Sequence, residues 1–234
     1  LIMRCNILGN GKSRNLFKDD GSFKIALNYY SVKNPDILLA IDKPAIRYLE
    51  KNNFFNTNAI INDNYETDNP NVIGRVNSRI DHLEVDLKKY GRKSVNLNVG
   101  HAAYHWARSQ KYDEIYLWGF DVLYNKSLVS LSDTIFGQTE KYRKYATFTD
   151  LPASGSIPGN TAFVIETSKL YIWSGKGWYL IDNVTNASSS AKFVRKAEYY
   201  IDVWEKIIDV PTYVKIPKNE KLITNNKNII GLEC

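Results

Sequence analysis

Apolar and polar positions alternate between two regimes along the chain. Residues 4–10 (RCNILGN) make a short apolar strand that runs into Gly-Asn-Gly, and Ser13 is placed to cap a brief helical turn over residues 14–17. Residues 23–29 (FKIALNY) carry the β-favouring alternation of a second strand. Residues 36–42 (DILLAID) are a continuous apolar run, as in a strand buried on both faces of a parallel sheet. Pro44 then opens a helix over residues 44–51, with Ile46 and Leu49 inward and Arg47 and Glu50 outward. A short strand follows at 59–62. Residues 63–93 have a mixed period, and loops with one strand or helix are expected there. Regularity returns with a helix over 98–110, whose small face holds Gly100, Ala103 and Ala107, and a buried strand over 114–120. Short strands alternating with crossover helices predict an α/β fold with an open, mostly parallel, Rossmann-like sheet.

The pattern changes beyond Ser132. Residues 145–181 have no helical period and hold three β runs, 162–166, 170–173 and 178–181, the last after the turn Ser174-Gly175-Lys176-Gly177. Turn glycines supply the positive φ of tight hairpins, so a small antiparallel β meander is expected. A polar stretch (NVTNASSS, 183–190) leads to an amphipathic helix over 191–208, and the tail offers one or two strands. The resulting division is an α/β domain of residues 1–138 and 189–234 with a β module inserted at 139–188.

Composition narrows the picture. Apolar residues are 44% and charged residues 24% of the 234 positions, which excludes a disordered chain. No apolar run reaches the roughly 18–20 residues of a membrane span, and residues 1–8 are too short for a signal peptide. Cys5 and Cys234 exclude a disulfide framework. The net charge of +6 is scattered, so a nucleic-acid partner is not supported.

Candidate chemistry gathers at strand ends. Gly9-Asn10-Gly11-Lys12-Ser13 is a glycine turn entering a helix, where backbone N–H groups and two close-approach glycines suit a phosphate; the alternative is a tight βα turn. It matches neither the P-loop nor the dinucleotide fingerprint. Asn28, Asp42 and Gly119-Phe120-Asp121 end later strands, and ligands of open α/β sheets bind beyond the carboxyl ends. Asn98-Val99-Gly100 is a second candidate anion nest. His101, with His105 four residues on, is a candidate general base or phosphate contact, or else a capping residue. No HExxH motif or cysteine partner accompanies the pair, so no metal site is expected.

GNGKSR, ALN, DILLAID and NVGHAAYHWARSQKYDEIYLWGFD together resemble a group of Rossmann-like proteins. The group includes bacterial sialyltransferase-like glycosyltransferases, motility accessory factor-type proteins and short phage-encoded relatives. The resemblance covers residues 4–121. It implies a sugar nucleotide, or a similar ligand, met by the loop Gly9-Asn10-Gly11-Lys12-Ser13 and by Asn28. In an active enzyme Asn10, Ser13 and Asn28 would hold the nucleotide, with His101 or Asp121 near the chemistry, and the strand-end and nest candidates Asp42 and Gly100 would complete the binding set. Lys12 stands where the group carries Pro, and Val99-Gly100 replaces Ser/Thr-Gly; both departures argue against retained catalysis. The inserted stretch resembles a small β module of tailed-phage virion proteins through Phe148, Leu151-Pro152, Gly159, residues 162–164, Leu170-Tyr171, Trp173, Gly177-Trp178 and Ile181. Phe163, Tyr171, Trp173 and Trp178 are its expected core and interaction residues.

The two resemblances imply a tailed-phage virion or virion-associated structural protein. Its glycosyltransferase-like domain would be a scaffold, and its β module would attach it to another virion component. The partners expected are other virion proteins in a homo-oligomer or multi-copy assembly, with no membrane. The location expected is the virion, or the host cytoplasm during assembly. The alternative is an active phage-encoded nucleotide-sugar-dependent glycosyltransferase. No cofactor is required by the first reading; a nucleotide or nucleotide sugar is required by the second.

Overall fold

The structure is a computed structural model, and it describes residues 2–28, 34–80, 83–126, 143–152, 161–164, 166, 169–180 and 188–234. The chain divides into two compact units, Leu1–Val129 with Lys196–Cys234, and Ser130–Arg195.

The larger unit is built on an eight-stranded sheet. Its strands are β1 (Arg4–Leu8), β2 (Phe23–Leu27), β3 (Ile37–Ala40), β4 (Ala59–Asn62), β5 (Val72–Val76), β6 (Glu114–Trp118), β11 (Thr212–Ile216) and β12 (Ile229–Glu233). The order is β12-β11-β6-β1-β2-β3-β4-β5, and every neighbouring pair is parallel. The sequence order reverses between β1 and β6, which is where open α/β sheets place their ligand crevice.

Parallel strands need crossovers, and the helices α1 (Lys43–Lys51), α2 (Val99–Ser109), the short α3 (Val122–Asn125) and α4 (Ser188–Ile207) lie between them in sequence. One face of the sheet, with Cys5, Ile7, Ile25, Leu39, Ile115, Leu117 and Val214, packs on Ala103, Tyr104 and Ala107 of α2 and on Tyr199, Val203 and Trp204 of α4. On the other face Ala26, Leu38, Ala40 and Ile61 meet Ala45, Ile46 and Leu49 of α1. β3 is buried at all four positions, which accounts for its unbroken apolar run. Burying a Leu or Ile side chain in such a layer contributes about 1.5–3 kcal/mol. In β1, β6 and β11 the residues away from α2 and α4 are instead Asn6, Tyr116, Trp118, Tyr213 and Lys215.

α1 ends in an unusual connection. Asn53, Phe54, Phe55 and Asn56 all have positive φ, between 47° and 56°, giving one left-handed turn without glycine. Phe54 is fully buried beneath α1, and Asn69 and Asn71 donate to the side chain and carbonyl of Asn53.

The smaller unit holds β7 (Arg143–Tyr145), a 3-10 turn at Phe148–Asp150, β8 (Thr161–Val164), β9 (Lys169–Trp173) and β10 (Trp178–Leu180). Its sheet order is β10-β9-β8-β7. β8, β9 and β10 pair antiparallel as the turn chemistry predicts, but β7 joins β8 in parallel. The stretch between β7 and β8 exceeds the dozen residues that a parallel return requires. At the hairpin tip, Gly175 has φ 96° and Ser174 N donates to Gly177 O at 3.0 Å. Leu151, Ala162 and Val164 form a small core with Tyr145, Tyr171 and Trp178 around it, and Trp178 Nε1 donates to Pro152 O at 2.8 Å. Gly159, Ile181, His82, residues 183–187 and the side chain of Phe163 lie outside the described residues. No helix among the described residues is long and apolar enough to cross a membrane.

Candidate functional site

The turn after β1 and the turn after β6 are laced together at the point where strand order reverses. Gly9 N donates to Trp118 O at 2.7 Å, and Gly11 N donates to Gly119 O at 2.9 Å. A Cβ on Gly9 would stand 2.7 Å from Gly119 O, and one on Gly11 would stand 2.6 Å from Asp121 Oδ1. The glycines are needed for close approach, and what approaches is the chain's own β6 end.

Ser13 does not cap the 3-10 turn Lys12–Leu16, whose N-cap is Gly11 with no side-chain cap bond. Its hydroxyl instead donates to Asp121 Oδ1 at 2.6 Å, its N–H donates to the same oxygen at 3.2 Å, and it accepts from Gly119 N at 3.2 Å. Both residues are buried. The N–H groups of Gly9, Gly11 and Ser13 are therefore spent inside the protein, and the anion seated on Ser13 is the Asp121 carboxylate.

The second expected nest is likewise filled from within. Asn98 Oδ1 accepts from His101 N at 2.9 Å, and His101 Nδ1 accepts from Asn98 N at 3.2 Å, a reciprocal cap on α2. His101 Nε2 lies 3.3 Å from Tyr200 O and so carries the proton. The ring is fully buried, with its centroid 4.5 Å from that of Trp204. Burial pulls its pKa down to about 3. A neutral imidazole bonded at both nitrogens and sealed from solvent is a capping residue, not a general base. Gly100 serves packing too, since a Cβ there would stand 2.5 Å from Phe120 Cε1.

Among the described residues, a line of polar side chains runs across the ends of β1, β2 and β3 at the carboxyl edge. Arg14 Nη1 donates to Asn10 Oδ1 at 2.6 Å and to Gly9 O at 3.4 Å. Its guanidinium is half-buried, which lowers its pKa, and no carboxylate pairs with it among the described residues. Asn10 Nδ2 reaches across to Leu27 O at 3.1 Å. The next residue, Asn28, turns out of β2 with φ 56° and donates from Nδ2 to Asp42 Oδ2 at 3.3 Å. That bond fixes the amide so that Oδ1 is buried, with no partner among the described residues. Asp42 itself is exposed at the N-cap of α1.

This line offers a cation, two amides, an unsatisfied acceptor and a carboxylate. It suits a ligand with an anionic group and a nearby hydroxyl or N–H donor. Of the residues expected at the site, Asn10, Asn28 and Asp42 share it, while Gly9, Gly11, Ser13, Gly100, His101 and Asp121 are taken up by packing. Arg14 was not foreseen; its signal was an arginine one residue beyond Ser13, inside the 3-10 turn Lys12–Leu16. Among the described residues no group of three or more His, Cys, Asp or Glu side chains is placed to hold a metal.

In the smaller unit Trp173 is buried, Tyr171 and Trp178 are half-buried around its core, and Phe148 and Tyr179 are exposed at 43% and 58%. No protein-family model matches the chain, and neither a curated protein nor a solved structure shows significant similarity to it.

Proposed function

We propose that the chain is a tailed-phage virion or virion-associated structural protein. The α/β unit is its scaffold, and the inserted β unit attaches it to another virion component in a multi-copy assembly. One observation carries the reading: the Asp121 carboxylate fills the glycine turn where a ligand phosphate would sit. His101 adds support, since it is committed to capping α2. The inserted unit has a core of its own and presents Phe148 and Tyr179 to solvent, as an attachment module requires. The test is quantitative mass spectrometry of purified particles of the encoding phage. A fixed copy number per particle is expected. Presence in infected cells together with absence from particles overturns the reading.

A second reading, a nucleotide-sugar-dependent glycosyltransferase, is favoured by a specific pair of groups. Among the described residues Arg14 has no carboxylate partner and Asn28 Oδ1 has no donor, and a nucleotide's phosphate and hydroxyl groups would satisfy both. Incubation with CMP- and UDP-sugars distinguishes the two: sustained release of the nucleotide supports the enzyme, and none supports the scaffold.

A further inference from the structure

The sequence holds a single Asn-Gly pair, Asn10-Gly11, and it stands just beyond the end of β1. An asparagine followed by glycine is open to a reaction of its own, because no Cβ shields the glycine nitrogen. That nitrogen attacks the side-chain Cγ, the Cγ–Nδ2 bond breaks, and ammonia leaves with the proton of the attacking N–H. Water then opens the cyclic imide at either carbonyl and leaves an aspartyl or isoaspartyl residue.

In the folded chain both reacting groups are tied elsewhere. Gly11 N donates to Gly119 O at 2.9 Å. The Asn10 amide is held at both ends: Nδ2 donates to Leu27 O at 3.1 Å, and Oδ1 accepts from Arg14 Nη1 at 2.6 Å. The space beside Gly11 is filled, since a Cβ there would stand 2.6 Å from both Gly119 O and Asp121 Oδ1. Asp121 is in turn anchored on the N–H and hydroxyl of Ser13. Ring closure needs the Gly11 nitrogen and the Asn10 side chain to turn toward one another, and that breaks the seam between the β1 turn and the end of β6.

We propose that Asn10 is a deamidation site guarded by this seam, unreactive while the β1 turn is laced to the end of β6 and reactive when the lacing opens. The product does not fit the place the amide held. An ionised carboxylate at position 10 offers Leu27 O no donor and gives Arg14 an acidic partner. An opening of the seam is thereby recorded in covalent structure, and the cation of the strand-end line is paired. The inference rests on neither reading of that line.

The test follows deamidation of the whole chain at mildly alkaline pH. Trypsin cuts after Arg4 and Lys12, and tandem mass spectrometry of the peptide 5–12 separates Asn10 from Asn6. The synthetic peptide of the same residues gives the unguarded rate. The urea-unfolded chain should match that rate, and the folded chain should be at least about tenfold slower. Ser13→Ala, which removes the hydroxyl contact with Asp121, should raise the folded chain's rate about fivefold or more. Trp178→Ala, which loosens the other unit, should leave it unchanged. If Ser13→Ala does not fold, the comparison of folded with unfolded wild type and the rate in Trp178→Ala still decide. The proposal is overturned by a folded chain that deamidates as fast as the peptide, by an unfolded chain that does not deamidate at Asn10, or by a folded Ser13→Ala chain no faster than wild type. Acceleration by Trp178→Ala equal to that by Ser13→Ala overturns it too, because the guard is then not the seam.

Discussion

Asp121 Oδ1 lies 2.6 Å from Ser13 Oγ and 3.2 Å from Ser13 N, so one carboxylate oxygen satisfies both donors of a residue 108 positions earlier in the chain. The contact joins the end of β6 to the turn after β1, and both groups are out of water. Removing one partner of such a pair exposes the other to the cost of an unmet buried polar group. Ser13→Ala should therefore lower stability by about 1–3 kcal/mol in urea denaturation. A change within about 0.5 kcal/mol would mean that the contact stabilises the fold no more than an exposed hydrogen bond does.

Trp178 couples two parts of the small unit, by packing on the Leu151, Ala162 and Val164 core and by donating to Pro152 O. The ring is half-buried, so Trp178→Ala should cost about 2–4 kcal/mol, toward the low side of the usual range for a large aromatic. A unit this small has little stability to spare. Hydrogen exchange across β8 and β9 should become fast while β1, β6 and α2 stay protected. Unchanged protection in β8 and β9 would remove Trp178 from the core.

Much of the fold was legible, and for identifiable reasons. β3 reads as buried because both of its faces are covered, and α1 announces itself by Pro44 and by the spacing of Ile46 and Leu49. Residues 63–93 resisted because, outside the edge strand β5, the described residues there form no helix or further strand yet still lend single side chains such as Ile80, Leu83, Leu87 and Tyr90 to the core. The parallel addition of β7 was hidden, since turn chemistry speaks only for adjacent strands. The strand-end site was half legible. A glycine that admits a ligand and a glycine that admits another strand's backbone leave the same mark in a sequence, and only the 2.6–2.7 Å clearances at Gly9 and Gly11 tell them apart.

The left-handed turn at Asn53–Asn56 was wholly hidden, because positive φ is expected of glycine and this turn has none. Each non-glycine residue there costs about 1–2 kcal/mol. At ordinary positions Gly is the worse replacement by about 0.5–1 kcal/mol relative to Ala. At Phe54, with φ 47°, the order should invert: both Phe54→Ala and Phe54→Gly lose the buried ring, but the glycine variant should be the more stable by about 1 kcal/mol. Thermal or urea denaturation of the pair decides it, and the ordinary order would argue against a left-handed backbone at this position.

His101 sets a pH dependence with a definite sign. Burial holds its folded pKa at about 3, below its ordinary value of 6.5. Between those values the unfolded chain binds a proton that the folded chain refuses. Stability is therefore full above about pH 6.5 and falls as pH drops toward 3, by up to about 1.4 kcal/mol per unit. His101→Gln should be less stable at pH 7 through loss of the ring's packing and cap, yet should lose less stability between pH 6.5 and 4.5. Parallel pH slopes for the two proteins would show that the imidazole is not the group responsible.

Arg14 and Asn28 divide the work of any nucleotide bound at the strand ends, and the division can be read by substitution. The N–H groups of Gly9, Gly11 and Ser13 are engaged with Trp118, Gly119 and Asp121, so a phosphate at this turn is expected to draw on the Arg14 guanidinium. A single half-buried cation supports weak, salt-sensitive binding, and CMP or UDP should bind in the high-micromolar to millimolar range, about 4–5 kcal/mol. Arg14→Gln should weaken nucleotide and inorganic phosphate alike. Asn28→Gly keeps the φ of 56° without strain but deletes the buried acceptor, so it should weaken the nucleotide and spare inorganic phosphate. Ser13→Ala should change neither, because its hydroxyl faces Asp121. Calorimetric titration at two salt concentrations separates these cases. If Arg14→Gln binds as the wild type does, the anion lies elsewhere. If nothing binds at several millimolar, the line from Arg14 to Asp42 belongs to a scaffold, and the Asn28 oxygen, which has no donor among the described residues, is not there to meet a nucleotide.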